Sequence, residues 1–258
     1  MKQTNRLLTA LVGGLSLLLA ATSAPAQDDD VGEDRWYIGV GAGILSTSDA
    51  PAGTFSFDNS LFGSEQGEFD ADYSADDDAV LELSAGVRLG DGPFGLGVTW
   101  SQSSPSASAE IVGRLPHPFF FDTLRTVEGT QGNLTRDETA IHLSFRWLVR
   151  DGQKTDLTLF VGPSQIELEH DLVAAVRFDQ TYPFDEATYA GTHRELASGD
   201  AIGYHLGIDI VRKFGNTVGV GGVVRYSQAG IDLDGPDGSS VSVDAGGLTA
   251  TVDLRFRF

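Results

Sequence analysis

The chain has no cysteine, one methionine, and only 17 lysines and arginines against 37 aspartates and glutamates. Without cysteine, neither a disulfide framework nor a lipid-anchored N-terminal cysteine is available. A formal net charge of −20 excludes the Lys/Arg clusters that nucleic-acid phosphates require, so no nucleic-acid partner is expected. Long apolar runs are also missing. Beyond the N-terminus no stretch reaches about 18 apolar residues, which excludes membrane-spanning helices. A transmembrane β-barrel survives all these exclusions, because each of its strands carries a much weaker signal.

The N-terminus reads as a targeting segment. Lys2 and Arg6 give a basic start, Leu7 to Ala21 is apolar, and Ala24-Pro25-Ala26 offers a small-x-small cleavage site. Residues 1–26 are therefore expected to be a Sec signal peptide, with a mature chain starting at Gln27, an acidic linker over 27–34 and a barrel domain over 35–258. Removing Lys2 and Arg6 takes the charge from −20 to −22. The acidic runs, "DDD" at 28–30, "EFDADYSADDD" at 68–78 and "DLDGPDG" at 232–238, read as solvated loops. The last has the look of a calcium loop, but Pro236 and Val243 stand at its fifth and twelfth positions, so a hairpin tip is the better account. The 32 glycines suit strands and turns.

Eight segments alternate with a period of two: 35–45, 79–90, 93–101, 140–150, 156–164, 201–212, 216–227 and 248–258. Each has roughly the 9–11 residues a tilted strand needs to cross a bilayer. Their connections alternate between tight turns (Asp91-Gly92, "DGQK" 151–154, "KFGN" 213–216) and longer stretches (46–78, 102–139, 165–200, 228–240). The expected fold is all-β: an eight-stranded antiparallel transmembrane β-barrel with short periplasmic turns and long extracellular loops. Ten strands is the alternative count. Alternation inside the loops ("DLVAAVRF", 171–178) reads as hairpins projecting above the membrane.

Aromatic residues sort by height. Trp36, Phe94, Trp147, Phe214, Phe256 and Phe258 fall near the turn side, and Trp100, Tyr204 and Tyr226 near the loop side. Two girdles are what bilayer interfaces select, whereas a soluble lipocalin-like barrel would have no reason for them. On the opposite faces stand Glu82, Arg88, His142, Arg146, Arg150, His205, Asp209, Arg225, Asp253 and Arg255, which lipid would not tolerate. A lumen this narrow is just filled by side chains. Glu82, Arg88, Arg146, Asp209, Arg225, Asp253 and Arg255 are accordingly expected to form an internal charge network that plugs the bore, with Arg146 and Asp209 at mid-height.

The last strand, "LTATVDLRFRF" (248–258), alternates strictly and finishes on Phe256 and Phe258. It resembles the C-terminal signature of bacterial outer-membrane proteins, and the whole plan resembles the eight-stranded barrels of the OmpA/OmpW/OmpX type. The resemblance implies an outer-membrane location, contact with lipid and lipopolysaccharide, and recognition of Phe256 and Phe258 by the barrel-assembly machinery. His142 and Ser144, in "IHLS", resemble the His-x-Ser motif of lipid A deacylases over two residues only, and they point into the lumen rather than at lipid. The function expected is structural, surface-interacting or weakly permeable, without catalytic residues, metal or cofactor. The alternatives are an OmpW-like conduit for small apolar solutes, leaving through a Gly-rich wall ("GVGAG", "GVGGV"), and a lipid-modifying enzyme. The extracellular ligand is unnamed by the sequence.

Overall fold

A computed structural model describes residues 35–47, 52–57, 65, 67–215, 217–234 and 240–258, with the backbone alone over 52–57. The expected signal peptide, the 27–34 linker and the turn at 235–239 lie outside the described residues. The described chain forms eleven strands: β1 (Trp36–Thr47), β2 (Ala52–Phe57), β3 (Gly67–Ala75), β4 (Asp78–Arg88), β5 (Phe94–Ser103), β6 (Ser106–Pro116), β7 (Leu124–Asp151), β8 (Thr155–Gln180), β9 (Ala187–Phe214), β10 (Val218–Asp234) and β11 (Ser240–Arg257).

Eight of them close a ring. β1 pairs with β4, and the antiparallel ladder runs on through β5, β7, β8, β9, β10 and β11 back to β1. The seam is stitched to its last residue: Trp36 N–H donates to Phe258 O at 2.9 Å, and Phe258 N–H to Trp36 O at 3.0 Å. A closed ring leaves no edge within the hydrocarbon, where an unmet backbone group would be costly. The ring has eight strands and not the alternative ten; the stretch 188–196, "TYAGTHREL", with no apolar face for lipid, belongs to the upper part of β9.

The wall strands outrun the membrane. β7, β8 and β9 reach 28, 26 and 28 residues, far beyond the 9–11 of a spanning strand. The stretches expected as long loops are thus largely continued strands. Above the ring β6 pairs with upper β7, β3 with β6 and β2 with β3, so a second sheet grows from the wall. The upper halves of β8 and β9 stay paired as far as Gln180 opposite Ala187.

Along these strands the sense of the alternation reverses. In β8 the inward positions run Thr158, Phe160, Ser164, then Ile166, Leu168 and Leu172. The outward ones run Leu159, Val161, Pro163, then Gln165, Glu167, Glu169 and Asp171. β10 behaves alike: Val220, Val224 and Tyr226 face out below Asp232 and Asp234, while Arg225 and Ser227 face in below Ala229, Ile231 and Leu233. No side chain changes face at these points; only the medium does. Below the reversal apolar groups meet lipid, with Leu81 60% and Val252 63% exposed. Above it they pack together as a water-soluble core of Phe69, Tyr73, Ile111, Leu134, Ile166, Leu168, Leu172, Ile231, Leu233 and Val243. The hydrophobic effect thus sets the membrane's outer edge near Trp100, Ile202, Tyr226 and Leu248.

Candidate functional site

The lumen at membrane depth is packed with paired charge. Asp209 on β9 is fully buried and takes Arg255 on both carboxylate oxygens, at 2.7 and 3.2 Å, and Arg146 as an ion pair. Arg255 also donates from Nε to Asp253 at 2.9 Å. The Tyr37 ring lies between the two cations, 5.0 Å from the Arg146 guanidinium carbon and 4.6 Å from that of Arg255. Higher up, Glu82 on β4 pairs with Arg225 on β10 and accepts the Thr251 hydroxyl at 3.0 Å. Three carboxylates therefore meet three guanidiniums, and this part of the lumen is neutral.

Between these groups a void of about 20 Å³ remains, lined by Tyr37, Glu82, Ser144, Phe160, Arg225 and Arg255. That is room for roughly one water. The glycines fit the same crowding: a Cβ on Gly221 would stand 1.9 Å from Asp253 Oδ1. In "GVGGV" this glycine makes space for a lumen carboxylate.

Beside the charges runs a chain of hydroxyls and imidazoles. Ser101 meets His142 Nε2 at 3.3 Å, His142 Nδ1 meets the Ser164 hydroxyl at 2.7 Å, Ser164 meets His205 Nδ1 at 2.9 Å, and His205 Nε2 meets Ser144 at 2.9 Å. His142 and Ser144, neighbours in the sequence motif, thus bond to different partners. All five groups are buried.

Arg88 stands apart from the central network. It bonds Asp151 at 3.0 Å and the Gly92 carbonyl at 2.9 Å, in a periplasmic-side cluster where Lys213 bridges Asp151 and Asp156 at 3.1 and 2.7 Å. Arg150, placed in the lumen by simple alternation, is exposed instead. The β7–β8 register shifts between Leu148 and Arg150, and such a bulge turns the following side chain to the other face. The girdle residues lie at two heights. Trp36 sits at the Phe258 seam and Trp147 opposite Phe94, while Trp100 stands opposite Ile141, and Tyr204 and Tyr226 both donate to Gln228 Oε1 at 3.1 Å. Phe256 and Phe258 are about half exposed on the outer wall.

Two lumen aromatics, Tyr37 and Phe160, were not singled out in the sequence, although their position in the alternation places both inward. The extracellular end was missed as a site as well. There the β6–β7 and β8–β9 tips meet: Arg125 donates to Gln180 Oε1, Phe184 O and Pro116 O at 2.7, 2.8 and 2.9 Å, and the Phe119 and Phe184 rings are 5.5 Å apart. A half-open cavity of about 490 Å³ lies between them, lined by His117, Phe120, Leu124, Arg125, Asp185 and Glu186. No cluster of three or more metal-ligating side chains occurs among the described residues.

No curated protein matches the sequence. Solved structures match its fold. The outer membrane protein OprG from Pseudomonas aeruginosa is 12% identical at a TM-score of 0.50, covering 89% of this chain and 99% of that one. The outer membrane protease OmpT from Escherichia coli is 9% identical at 0.51, covering 90% and 99%. Neisserial surface protein A is 14% identical at 0.42, covering 86% and 97%. The profile of the outer membrane protein beta-barrel domain matches residues 14–256. With its closed ring of eight strands, lipid-facing belt and filled polar interior, the chain belongs to this family and is a bacterial outer-membrane β-barrel.

Proposed function

We propose that this barrel is a non-conducting, non-catalytic anchor whose working part is the extracellular sheet it holds above the outer leaflet. The filled lumen carries the reading: six charged side chains paired in a neutral network, around a void that fits one water. A catalytic role for the Ser–His chain is disfavoured because its members are sealed from both lipid and solvent. Outer-membrane lipid and lipopolysaccharide would be its lateral neighbours, and Phe256 and Phe258 its signal to the assembly machinery. Single-channel recording on refolded protein tests the reading: rare, small steps are expected, and large, steady porin-like steps would refute it.

One observation favours a lateral conduit as a second reading. The β7–β8 ladder steps from His142 opposite Ser164 to Phe145 opposite Val161, and between them lies Pro163, which has no N–H to donate. The backbones nevertheless stay close there, since a Cβ on Gly162 would fall 1.8 Å from Leu143 O. A wall this tight speaks for the anchor. Uptake of a small apolar dye into proteoliposomes separates the two: faster uptake with wild type than with empty vesicles would favour the conduit.

A further inference from the structure

The joined extracellular tips carry an exposed apolar surface, its rings packed only in part against Phe184 and His117. Phe119, Phe120 and Phe121 are 62, 59 and 67% exposed, with Leu124 and Tyr182 exposed beside them. Three consecutive aromatics cannot serve one face of a strand, so they form a wedge rather than a flat patch. The backbone beneath is held in place. His117 Nδ1 accepts the N–H groups of Phe119 and Phe120 at 3.1 and 3.2 Å, His117 N–H donates to Thr123 O at 2.8 Å, and Asp122 N–H donates to Glu65 Oε1 at 2.6 Å. A loop can enter an apolar medium only if its backbone donors are already satisfied. The Phe119, Phe120 and Asp122 donors of this turn are met in that way.

The cavity beside the wedge combines an aromatic face, Phe120, with two carboxylates, Asp185 (3.6 Å from His117 Nε2) and Glu186, and the inner edge of the Arg125 guanidinium, which already holds Gln180, Phe184 and Pro116. A quaternary ammonium is drawn to an aromatic face and to carboxylates, and a phosphate to a guanidinium. One zwitterionic headgroup supplies both charges. Acidic groups around the tip (Asp122, Asp179, Asp185, Glu186) would repel an anionic surface.

We propose that the two tips dock on an opposing phosphatidylcholine bilayer, Phe119 and Phe120 entering its interface while a phosphocholine headgroup sits in the cavity against Asp185, Glu186 and Arg125. This deepens the surface role proposed above and rests on it. The test places the whole protein in nanodiscs and measures co-flotation with vesicles of phosphatidylcholine, alone or doped with phosphatidylserine. Binding to phosphatidylcholine is expected, weaker on the doped vesicles, and reduced at least about tenfold by Phe119→Ser with Phe120→Ser, as the loss of two buried rings implies. Asp185→Asn with Glu186→Gln should weaken it and leave the wedge in place, and soluble phosphocholine should compete. A preference for doped vesicles, binding unchanged in the Phe variant, no competition by phosphocholine, or vesicle-independent pairing of the nanodiscs tip to tip would each overturn the proposal. Low conductance with no vesicle binding would remove this inference alone.

Discussion

Asp209 and Arg255, 46 residues apart in the chain, meet through two parallel contacts in the middle of the lumen. Removing the carboxylate would leave Arg146 and Arg255 facing one another without their shared counter-ion. Asp209→Ala should therefore destabilise the barrel by about 3–5 kcal/mol, the range for breaking a buried ion pair. The midpoint of heat-induced gel-shift unfolding measures it, and an unchanged midpoint would mean the pair adds no stability.

Removing both sides of a pair has a different consequence. Arg146→Ala with Asp209→Ala deletes a cation and an anion together, leaving Arg255 with Asp253. Such a double change can be far milder in stability than the single one. It also empties volume beside the existing void, so conductance steps should become larger and more frequent than those of wild type in planar bilayers.

Phe258 contributes two backbone hydrogen bonds to the β1–β11 seam and an exposed ring. Phe258→Ala keeps the backbone bonds. Refolding into detergent micelles should be nearly unaffected, whereas insertion in cells should fall if the assembly machinery reads the ring. Equal outer-membrane levels of variant and wild type would sink the signal role.

His170 makes the extracellular core sensitive to acid. It lies in β8 above the membrane edge, donates from Nδ1 to Thr135 O at 3.1 Å, and packs edge-on against Tyr73, whose hydroxyl accepts Val173 N–H. Burial pushes the imidazole down from 6.5 to about 4, and the Tyr73 phenol up to about 12. Because the folded value is the lower one, the unfolded segment binds the extra proton. The stability is complete above pH 6.5 and is lost as pH falls towards 4, up to about 3 kcal/mol. Intrinsic amide exchange itself slows from pH 7 to 5, so the readout is the protection factor: that of the β8 amides should fall between pH 7 and 5. His170→Asn, which keeps a donor for Thr135, should abolish that fall.

The ring was legible because lipid and lumen impose opposite demands on alternate residues, and Leu81, Val98, Leu143 and Val252 declare their face by type alone. The same alternation found Arg146, Asp209 and Arg255. It gave no sign that Arg225 would reach Glu82, since β10 and β4 are not neighbours in the ring and pairing across a bore is a matter of side-chain length. Arg150 was misplaced because a bulge is a property of two paired strands. The upper strands were read as loops for a subtler reason: Ile166, Leu168 and Leu172 continue the inward phase of Thr158 and Ser164 with the opposite polarity. In one dimension that resembles a lost register. Tyr37 and Phe160 are inward by phase, but an aromatic in a barrel strand reads first as an interfacial girdle residue. His117 and Arg125 signal nothing until two hairpins bring them together.

The reversal of polarity along β8 and β10 also fixes the molecule's draught, as ballast and waterline fix a hull's. Sinking it by two residues would drag Gln165 and Gln228 into hydrocarbon, and lifting it would strand Ile202 and Leu248 in water. With its depth pinned, the tip has a set reach. The 20 residues of β7 and its turn between Ile141 and Phe121 span at most about 50 Å along the membrane normal at 3.3 Å per residue and a tilt near 40°. Whatever coats the cell surface must be thinner than this mast for Phe119 and Phe120 to touch anything beyond it.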